Sequence, residues 1–189
     1  KIFRLNLFEN MKTFNKYRCL IVLIFLLKST HGFNQNSQTQ DSTTIKLLSA
    51  AKDIMSTAKT CALITLDFEG IPRVRVMDPF IPENDFTIWL GTNAKTRKVE
   101  QIRNNPKVTL YYLEPNGSGY VMLYGLAQLV NDQAEKDRRW KATWEAYYPN
   151  DREDYLLIKI SPQWLEVISY SHGIIGDPDT WEPPKVLFD

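Results

Sequence analysis

Changes in the spacing of apolar residues divide the chain into its predicted elements. Apolar positions recur at helical spacing between residues 45 and 55, which predicts a helix over 43–57. The spacing then changes to alternation, which predicts strands over 61–66, 73–78, 86–90, 107–113 and 120–130. Two further helices are predicted over 95–103 and 132–148. The last strands are predicted over 155–160 and 164–169, on either side of Pro162.

This order of elements favours one fold class. Six or so strands, few helices and mostly short hairpin connections favour a mainly β (α+β) fold, an antiparallel barrel with flanking helices, over a doubly wound parallel sheet. Gly125, inside a long predicted strand, indicates a bulge or a close backbone approach. The glycine-rich fingerprint of a dinucleotide-binding unit and the GxxxxGK phosphate loop are both missing.

The first 32 residues have the features of a secretory signal. Basic residues after Met11 precede the nine apolar residues 19–27, and small residues precede a possible cleavage site after Gly32. An uncleaved membrane anchor and a buried element are the alternative interpretations. We therefore expect an upstream extension and signal peptide over 1–32, a polar linker over 33–42 and one domain over 43–189. We expect an exported protein, periplasmic or secreted, that contacts the membrane only if the signal is not cleaved.

Composition narrows the possible partners and chemistry. Residues 33–189 hold 17 basic and 21 acidic residues, and this net charge of −4 argues against general binding of nucleic acid or anionic membranes. Cys61 is the only cysteine of this region, so we expect no internal disulfide and a buried, inert thiol. His172 is its only histidine and lacks neighbours at ligand spacing, so we expect no metal site. No residue stands out as a catalytic acid or base.

Two basic clusters flank the predicted strand 86–90. In the first, Arg73, Arg75 and Met77 alternate with Val74 and Val76, and we expect the valines to face the core. A row of arginines on one strand face is compatible with a solvated surface or with a ligand site.

The second cluster follows that strand. Thr92 and Asn93 end the strand, and Thr96, Arg97 and Lys98 begin the next helix. Free backbone N–H groups and the helix dipole favour an anion at such a position, whereas cations there are unfavourable for the helix itself. Two interpretations remain open: a grip for a phosphate-bearing planar ligand, or surface cations on a solvated helix.

A family resemblance adds to this interpretation. RVRVM at 73–77, TNAKTRK at 92–98, YGLA at 124–127 and GDPDTW at 176–181 resemble the flavin-binding signature of the pyridoxamine 5′-phosphate oxidase-like split-barrel family. The similarity is greatest to the general stress protein branch and extends over 44–188. The resemblance implies an antiparallel split β-barrel that forms a homodimer with FMN at the interface.

The resemblance also implies roles for individual residues. It places Arg75, Val76 and Met77 along the flavin ring, assisted by Arg73. It places Thr92 and Asn93 at the ring or ribityl chain, and Thr96, Arg97 and Lys98 at the phosphate. Trp181 would either cover the ligand from the partner subunit or serve only in packing.

Two departures from the true oxidases limit the activity that we expect. Phe80 stands where the oxidases have a substrate-binding lysine, and Glu182 and two prolines follow Trp181 where they have basic residues. The chain therefore lacks the side chains for a substrate phosphate, and we do not expect oxidation of pyridoxamine phosphate. Two functions remain: a flavin-dependent oxidoreductase with an unidentified small substrate, or a non-catalytic exported flavin-binding or storage protein. Residue types alone leave a deazaflavin or haem open as the ligand instead of FMN.

Trp140, Trp144 and Tyr147 recur at helical spacing within 132–148. We expect them to pack in the core or a dimer interface rather than against a ligand.

Overall fold

A computed structural model describes residues 42–148, 150 and 152–188. The first helix, α1, covers 42–57, and its residues from Lys46 onwards belong to a compact unit, Lys46–Asp189. The predicted signal peptide over 1–32 and the linker residues 33–41 lie outside the described residues. Among the residues that are described, no helix is long and apolar enough to cross a membrane.

Seven strands and two further α-helices follow α1. They are β1 (Cys61–Leu66), β2 (Pro72–Met77), β3 (Ile88–Asn93), α2 (Arg97–Asn104), β4 (Lys107–Leu113), β5 (Gly119–Val130), α3 (Gln133–Arg138), β6 (Tyr155–Ser169) and β7 (Lys185–Leu187). A 3₁₀ helix, Ala142–Tyr147, lies between α3 and β6. The tail strand β7 was not predicted from the sequence.

The strands form one antiparallel sheet in the order β2-β1-β4-β5-β6-β3, with β7 beside β6. A single bridge between Pro79 and Leu90 joins the chain after β2 to β3, at the other end of the strand order. The sheet therefore curls towards closure without becoming a continuous barrel. This architecture confirms the predicted mainly β split-barrel class.

Strand β6 corrects the prediction of two strands separated at Pro162. It runs without interruption past this proline because Pro162 lies opposite Gly125, where the register of β5 against β6 shifts. A Cβ atom at Gly125 would lie 2.6 Å from the carbonyl oxygen of Ser161, so a larger residue would separate the two backbones. The predicted irregularity at Gly125 is confirmed, and the same irregularity accommodates the proline.

The main core lies between α1 and the inner face of the sheet. The buried residues of α1 include Leu47, Ala51 and Ile54, and they belong to one cluster with residues of all seven strands, such as Leu63 and Leu123. Helix α2 packs on the same side against β1 and β5 through its buried face. The N-terminus of α2 is thereby fixed beside β2 and β3.

Strand β2 corrects the expectation that its valines face the core. Val74 is 66% exposed and Val76 is 73% exposed, whereas Met77 is buried and Arg75 is half-buried. Arg73, Arg75 and Met77 do share a face, but it is the inner one, opposite Thr65, Leu63 and Cys61 of β1. Alternation identifies two faces of a strand but does not say which one the core covers.

The predicted helix over 132–148 is instead two short helices. Asp132 caps α3 and accepts a hydrogen bond from the Glu135 backbone N–H at 2.9 Å. The helix ends at Arg138, and the Tyr155 hydroxyl donates to the carbonyl of the next residue, Arg139, at 2.6 Å. The Glu135 carboxylate pairs with Arg138 and Arg139 and does not complete a capping box.

A buried carboxylate joins the β4–β5 turn to the end of β6. Glu114 accepts hydrogen bonds from the hydroxyls of Ser118 at 3.0 Å, Ser169 at 3.1 Å, and Ser171. Burial by itself would raise the pKa of Glu114, but these hydroxyls and His172 outweigh it, so the pKa lies below its ordinary value.

Candidate functional site

Two adjoining cavities, of about 580 and 470 Å³, form a groove beside β2, β3 and the N-terminus of α2. Each lies within the usual size range of ligand pockets, about 300–1,000 Å³. They share four lining residues, Val76, Met77, Thr96 and Lys98. The larger cavity is also lined by Asp78, Gly91, Thr92, Asn93, Thr143, Trp144, Tyr147 and Tyr148, and the smaller one by Arg75, Lys95 and Arg97.

Arg75 is held in a defined position on the inner face of β2. Its guanidinium donates to the Thr65 hydroxyl at 2.7 Å and to the Gln101 side-chain oxygen at 2.9 Å. The Thr65 hydroxyl donates to the same oxygen at 2.7 Å. Thr65 and Gln101 are buried, so they fix the orientation of the Arg75 guanidinium. Because both are uncharged, they leave its positive charge uncompensated.

The N-terminus of α2 leaves its first turn without a side-chain cap. The N-cap residue is Thr96, but its hydroxyl donates to the Asn93 carbonyl at 2.8 Å instead of accepting from the first turn. Lys98 in that turn donates to the hydroxyls of Thr92 at 2.9 Å and Thr96 at 3.3 Å. An anion at this position would accept from the N–H groups of the first turn.

The cations at this end of the groove are unbalanced. We call Arg75, Arg97 and Lys98 the cationic half, and none of the three forms an ion pair with any residue that the structure describes. Burial lowers the pKa of Arg75 and Arg97 lowers it further; burial likewise lowers the pKa of Lys98, with a further contribution from Arg75. A bound anion would relieve this mutual repulsion.

The other end of the groove is apolar. We call Thr143, Trp144, Tyr147 and Tyr148, all from the 3₁₀ helix region, the aromatic half. Trp144 is buried, as predicted, and Tyr148 is buried as well, yet both also line the larger cavity. Tyr147, which was predicted to pack like Trp144, is instead 74% exposed and does not join the core. Gly91 of β3 permits the close approach of Trp144, since a Cβ atom there would lie 2.6 Å from Cη2 of its ring.

The structure brings eight of the ten predicted site residues to the groove. They are Arg75, Val76, Met77, Thr92, Asn93, Thr96, Arg97 and Lys98. Two lie elsewhere: Arg73 pairs with Asp67 in the β1–β2 turn at 2.7 Å, and Trp181 in the tail is 83% exposed, and neither lines either cavity. In the described part of the chain, no three His, Cys, Asp or Glu side chains are placed to hold a metal ion.

Sequence reasoning missed several residues of the site. Gln101 and Thr65 support Arg75, and only their polarity at buried positions could have indicated them. Asp78 was also missed; it accepts from Lys141 at 2.5 Å and from the Trp144 indole N–H at 2.9 Å. Lys141 is distant from Asp78 in sequence, so this contact depends on the tertiary fold.

A family model described as pyridoxamine 5′-phosphate oxidase like matches residues 46–173, which is more than half of the chain. The chain belongs to this family. General stress protein 26 of Bacillus subtilis is 29% identical over 121 residues, which cover 62% of this chain and 84% of that protein.

Solved structures support the fold assignment. A protein related to general stress protein 26 from Clostridium acetobutylicum superposes with a TM-score of 0.62 at 23% identity, covering 74% of this chain and 93% of that one. A pyridoxamine 5′-phosphate oxidase-related, FMN-binding protein from Nostoc punctiforme gives a TM-score of 0.55 at 14% identity, covering 75% and 95%. At these identities the similarity establishes the split-barrel fold.

Proposed function

We propose that the groove binds FMN and that the protein is a flavin-dependent oxidoreductase acting on a small substrate. The observation that carries the proposal is the cationic half, three cations without an acidic partner among the described residues, beside an uncapped helix N-terminus. Phosphate matches this combination of guanidinium, ammonium and backbone N–H donors. The FMN-binding relative from Nostoc punctiforme supports the choice of ligand.

Residues of the groove fit the parts of FMN in order. Arg97, Lys98 and the first turn of α2, with Thr96, would hold the phosphate. Thr92 and Asn93 would contact the ribityl chain, while Arg75, Val76 and Met77 would lie along the ring. FMN supplies the electron-transfer chemistry when bound, and the protein supplies orientation and charge.

We further propose that the protein is a homodimer whose interface is the outer face of the sheet. Val76, Ala62, Tyr111 and Met122 form one row across four neighbouring strands on this face. Stacked aromatic pairs lie on it as well: Tyr111–Tyr120 and Tyr124–Trp164, with ring centroids 5.2 and 5.4 Å apart. An exposed apolar face of this extent is typical of a protein interface.

The same face adjoins the ligand groove. Val76 is 73% exposed on the outer face and lines both cavities, so a partner covering this face would also border the groove. This arrangement supports FMN at the subunit interface.

Replacement of Val74 tests the dimer. Val74→Asp places a charge in the proposed interface, and we expect light scattering after gel filtration to change from dimer to monomer mass. Ile175→Asp, which changes an exposed residue outside the sheet, is the matched control and should remain dimeric. A monomeric parent protein, or a Val74→Asp dimer as stable as the parent, would refute the interface.

Flavin binding is tested on the purified full chain. We expect a flavin absorption spectrum, or, for protein stripped of flavin, quenching of FMN fluorescence on titration. Riboflavin, the same ring without phosphate, should bind more weakly. The double variant Arg97→Ala/Lys98→Ala should bind FMN about as weakly as riboflavin, whereas Arg103→Ala at the other end of α2 should behave as the parent. Failure to bind FMN would refute the proposal.

Turnover separates an oxidoreductase from a protein that only stores or senses flavin. We expect the flavin of the loaded protein to bleach with a nicotinamide reductant and to recover in air. Stable binding without reduction by any nicotinamide would favour the storage function, which the sequence also left open. Titration with a deazaflavin and with haem under the same conditions tests the choice of FMN.

We also propose export, on the basis of residues 11–32 alone, which lie outside the described residues. N-terminal sequencing of the protein from its native host tests this. A mature protein beginning after Gly32 is expected, and one that retains residues 11–32 would contradict cleavage.

A further inference from the structure

The two halves of the groove differ in charge. In the cationic half the cations are unpaired, but the charged side chains around the aromatic half have partners. Asp78, which lines the larger cavity, accepts from Lys141 at 2.5 Å, and Arg152, close in sequence to Tyr148, pairs with Glu145 at 3.5 Å. Once a phosphate engages Lys98, the aromatic half presents no unpaired cation from the described residues for a second anion.

The walls of the aromatic half are rigid on one side. Trp144 packs edge-on against Phe80, with ring centroids 5.6 Å apart, and its indole N–H donates to Asp78 at 2.9 Å. Tyr148 is buried and packs edge-on against Trp140 and Tyr155, at centroid distances of 5.6 and 5.3 Å. These contacts fix two aromatic rings in place at the cavity.

Tyr147 is different from its neighbours. Its side chain is 74% exposed and lines the larger cavity, and its ring stacks on no other ring of the described residues. An aromatic side chain that is free on a cavity wall, facing fixed aromatic rings, can close over a flat ligand at low entropic cost.

Apart from the Trp144 indole N–H, which donates to Asp78, the polar side-chain groups of the aromatic half are hydroxyls. Thr143, Tyr147 and Tyr148 each contribute one, and none of these donates to another described residue. Burial raises the pKa of Tyr148 to about 12, so its hydroxyl stays protonated at neutral pH and can donate to a ligand oxygen. The cation at this end, Lys141, lies 4.6 Å from the Phe80 ring centroid and 5.2 Å from that of Trp144, and Asp78 already neutralises it.

We infer that the aromatic half binds an uncharged planar aromatic compound that carries a hydroxyl or carbonyl oxygen. The ring would lie among Trp144, Tyr147 and Tyr148, with its oxygen accepting from a tyrosine hydroxyl. This inference rests on the proposed function, because the flavin phosphate must occupy the cationic half. It names the class of substrate that the aromatic half selects, and this class excludes phosphorylated compounds.

A matched pair of ligands tests this inference. FMN-loaded protein is titrated by calorimetry with 2-naphthol and with naphthalene-2-sulfonate, which share one ring system and differ in charge. We expect 2-naphthol to bind at least about tenfold more tightly, because an unpaired sulfonate pays a desolvation cost in an apolar cavity.

Two variants locate the binding. Tyr147→Ala should weaken 2-naphthol about fivefold to tenfold, the usual effect of losing one aromatic contact. Tyr148→Phe keeps the ring and should weaken 2-naphthol but not naphthalene, which has no oxygen. Tyr170→Ala, at an exposed tyrosine outside both cavities, is the control and should change nothing. FMN affinity is measured separately by flavin fluorescence in all three variants, and 2-naphthol is titrated only into protein saturated with FMN, so that a change at the flavin is distinguished from a change in the aromatic half.

Each outcome is decisive. Protein that fails to bind FMN would overturn both the proposed function and this inference. Protein that binds FMN but binds the sulfonate as well as the naphthol would overturn only the inference. Naphthol binding that is unaffected by Tyr147→Ala and Tyr148→Phe would overturn it too, because the ligand would then lie elsewhere.

Discussion

Replacement of Arg97 by alanine should weaken ligand binding while leaving the stability of the fold unchanged. Arg97 is exposed, and within the described residues it forms neither an ion pair nor a side-chain hydrogen bond. Its charge lowers the pKa of the half-buried Arg75, so in the flavin-free protein the interaction between the two is repulsive. The Arg97 side chain therefore makes no stabilising contact in the flavin-free protein, and we infer that its role is to bind the ligand.

The expected magnitudes follow from this difference. Removal of a non-interacting surface side chain changes the free energy of unfolding by about 0.5 kcal/mol or less. Loss of a charge-assisted hydrogen bond to phosphate costs about 1.5–3 kcal/mol, which corresponds to an FMN dissociation constant about tenfold to 150-fold higher. Riboflavin, which has no phosphate, should bind the variant as it binds the parent.

Three measurements decide the matter: urea denaturation without flavin, FMN titration and riboflavin titration. Arg103→Ala removes the same charge from the last turn of the same helix and controls for long-range electrostatics. Equal weakening of FMN and riboflavin by Arg97→Ala would show that Arg97 does not contact the phosphate. A decrease of more than about 1 kcal/mol in the free energy of unfolding would refute the claim that Arg97 does not stabilise the flavin-free protein.

Two further predictions concern packing and pH. Gly91→Ala should lower the free energy of unfolding by about 1–3 kcal/mol, because the new Cβ atom overlaps the Trp144 ring; unchanged urea stability would mean that the ring moves freely. Because the pKa of Glu114 is lowered in the fold, its carboxylate stabilises the protein above the unfolded-state pKa, and this stabilisation is lost as pH falls through the folded-state pKa. Glu114→Gln should therefore lower stability at neutral pH and flatten its acid dependence, and an unchanged pH profile by thermal denaturation would contradict this.

The local parts of the site were predictable from the sequence. Thr92 and Asn93 end β3, and Arg97 and Lys98 begin α2, because strand, turn and helix signals all lie within about a dozen residues. The chemistry of a helix N-terminus then suggests an anion without further knowledge of the fold. Tertiary structure adds only the distances.

The rest depended on long-range contacts. Val74 and Val76 are exposed because α1 covers the opposite face of the sheet. The alternating pattern of β2 does not indicate which face α1 covers. After the break that follows Arg138, the Arg139 carbonyl accepts from Tyr155 of a distant strand, a contact that local sequence signals do not reveal. That break places Trp144 and Tyr147 at the groove, so the aromatic half could not be inferred from helical spacing.

The pattern of charge pairing connects stability and function in this protein. Near the groove, Asp78 and Asp154 each pair with a cation, at 2.5 and 2.8 Å, whereas the cationic half has only neutral hydrogen-bond partners among the described residues. Acidic partners would stabilise the empty protein but would compete with phosphate, so their absence favours binding at the expense of the free fold. A ligand present at 100 times its dissociation constant raises the free energy of unfolding by about 2.7 kcal/mol. Under the proposed function, flavin would therefore stabilise the fold as well as occupy the groove.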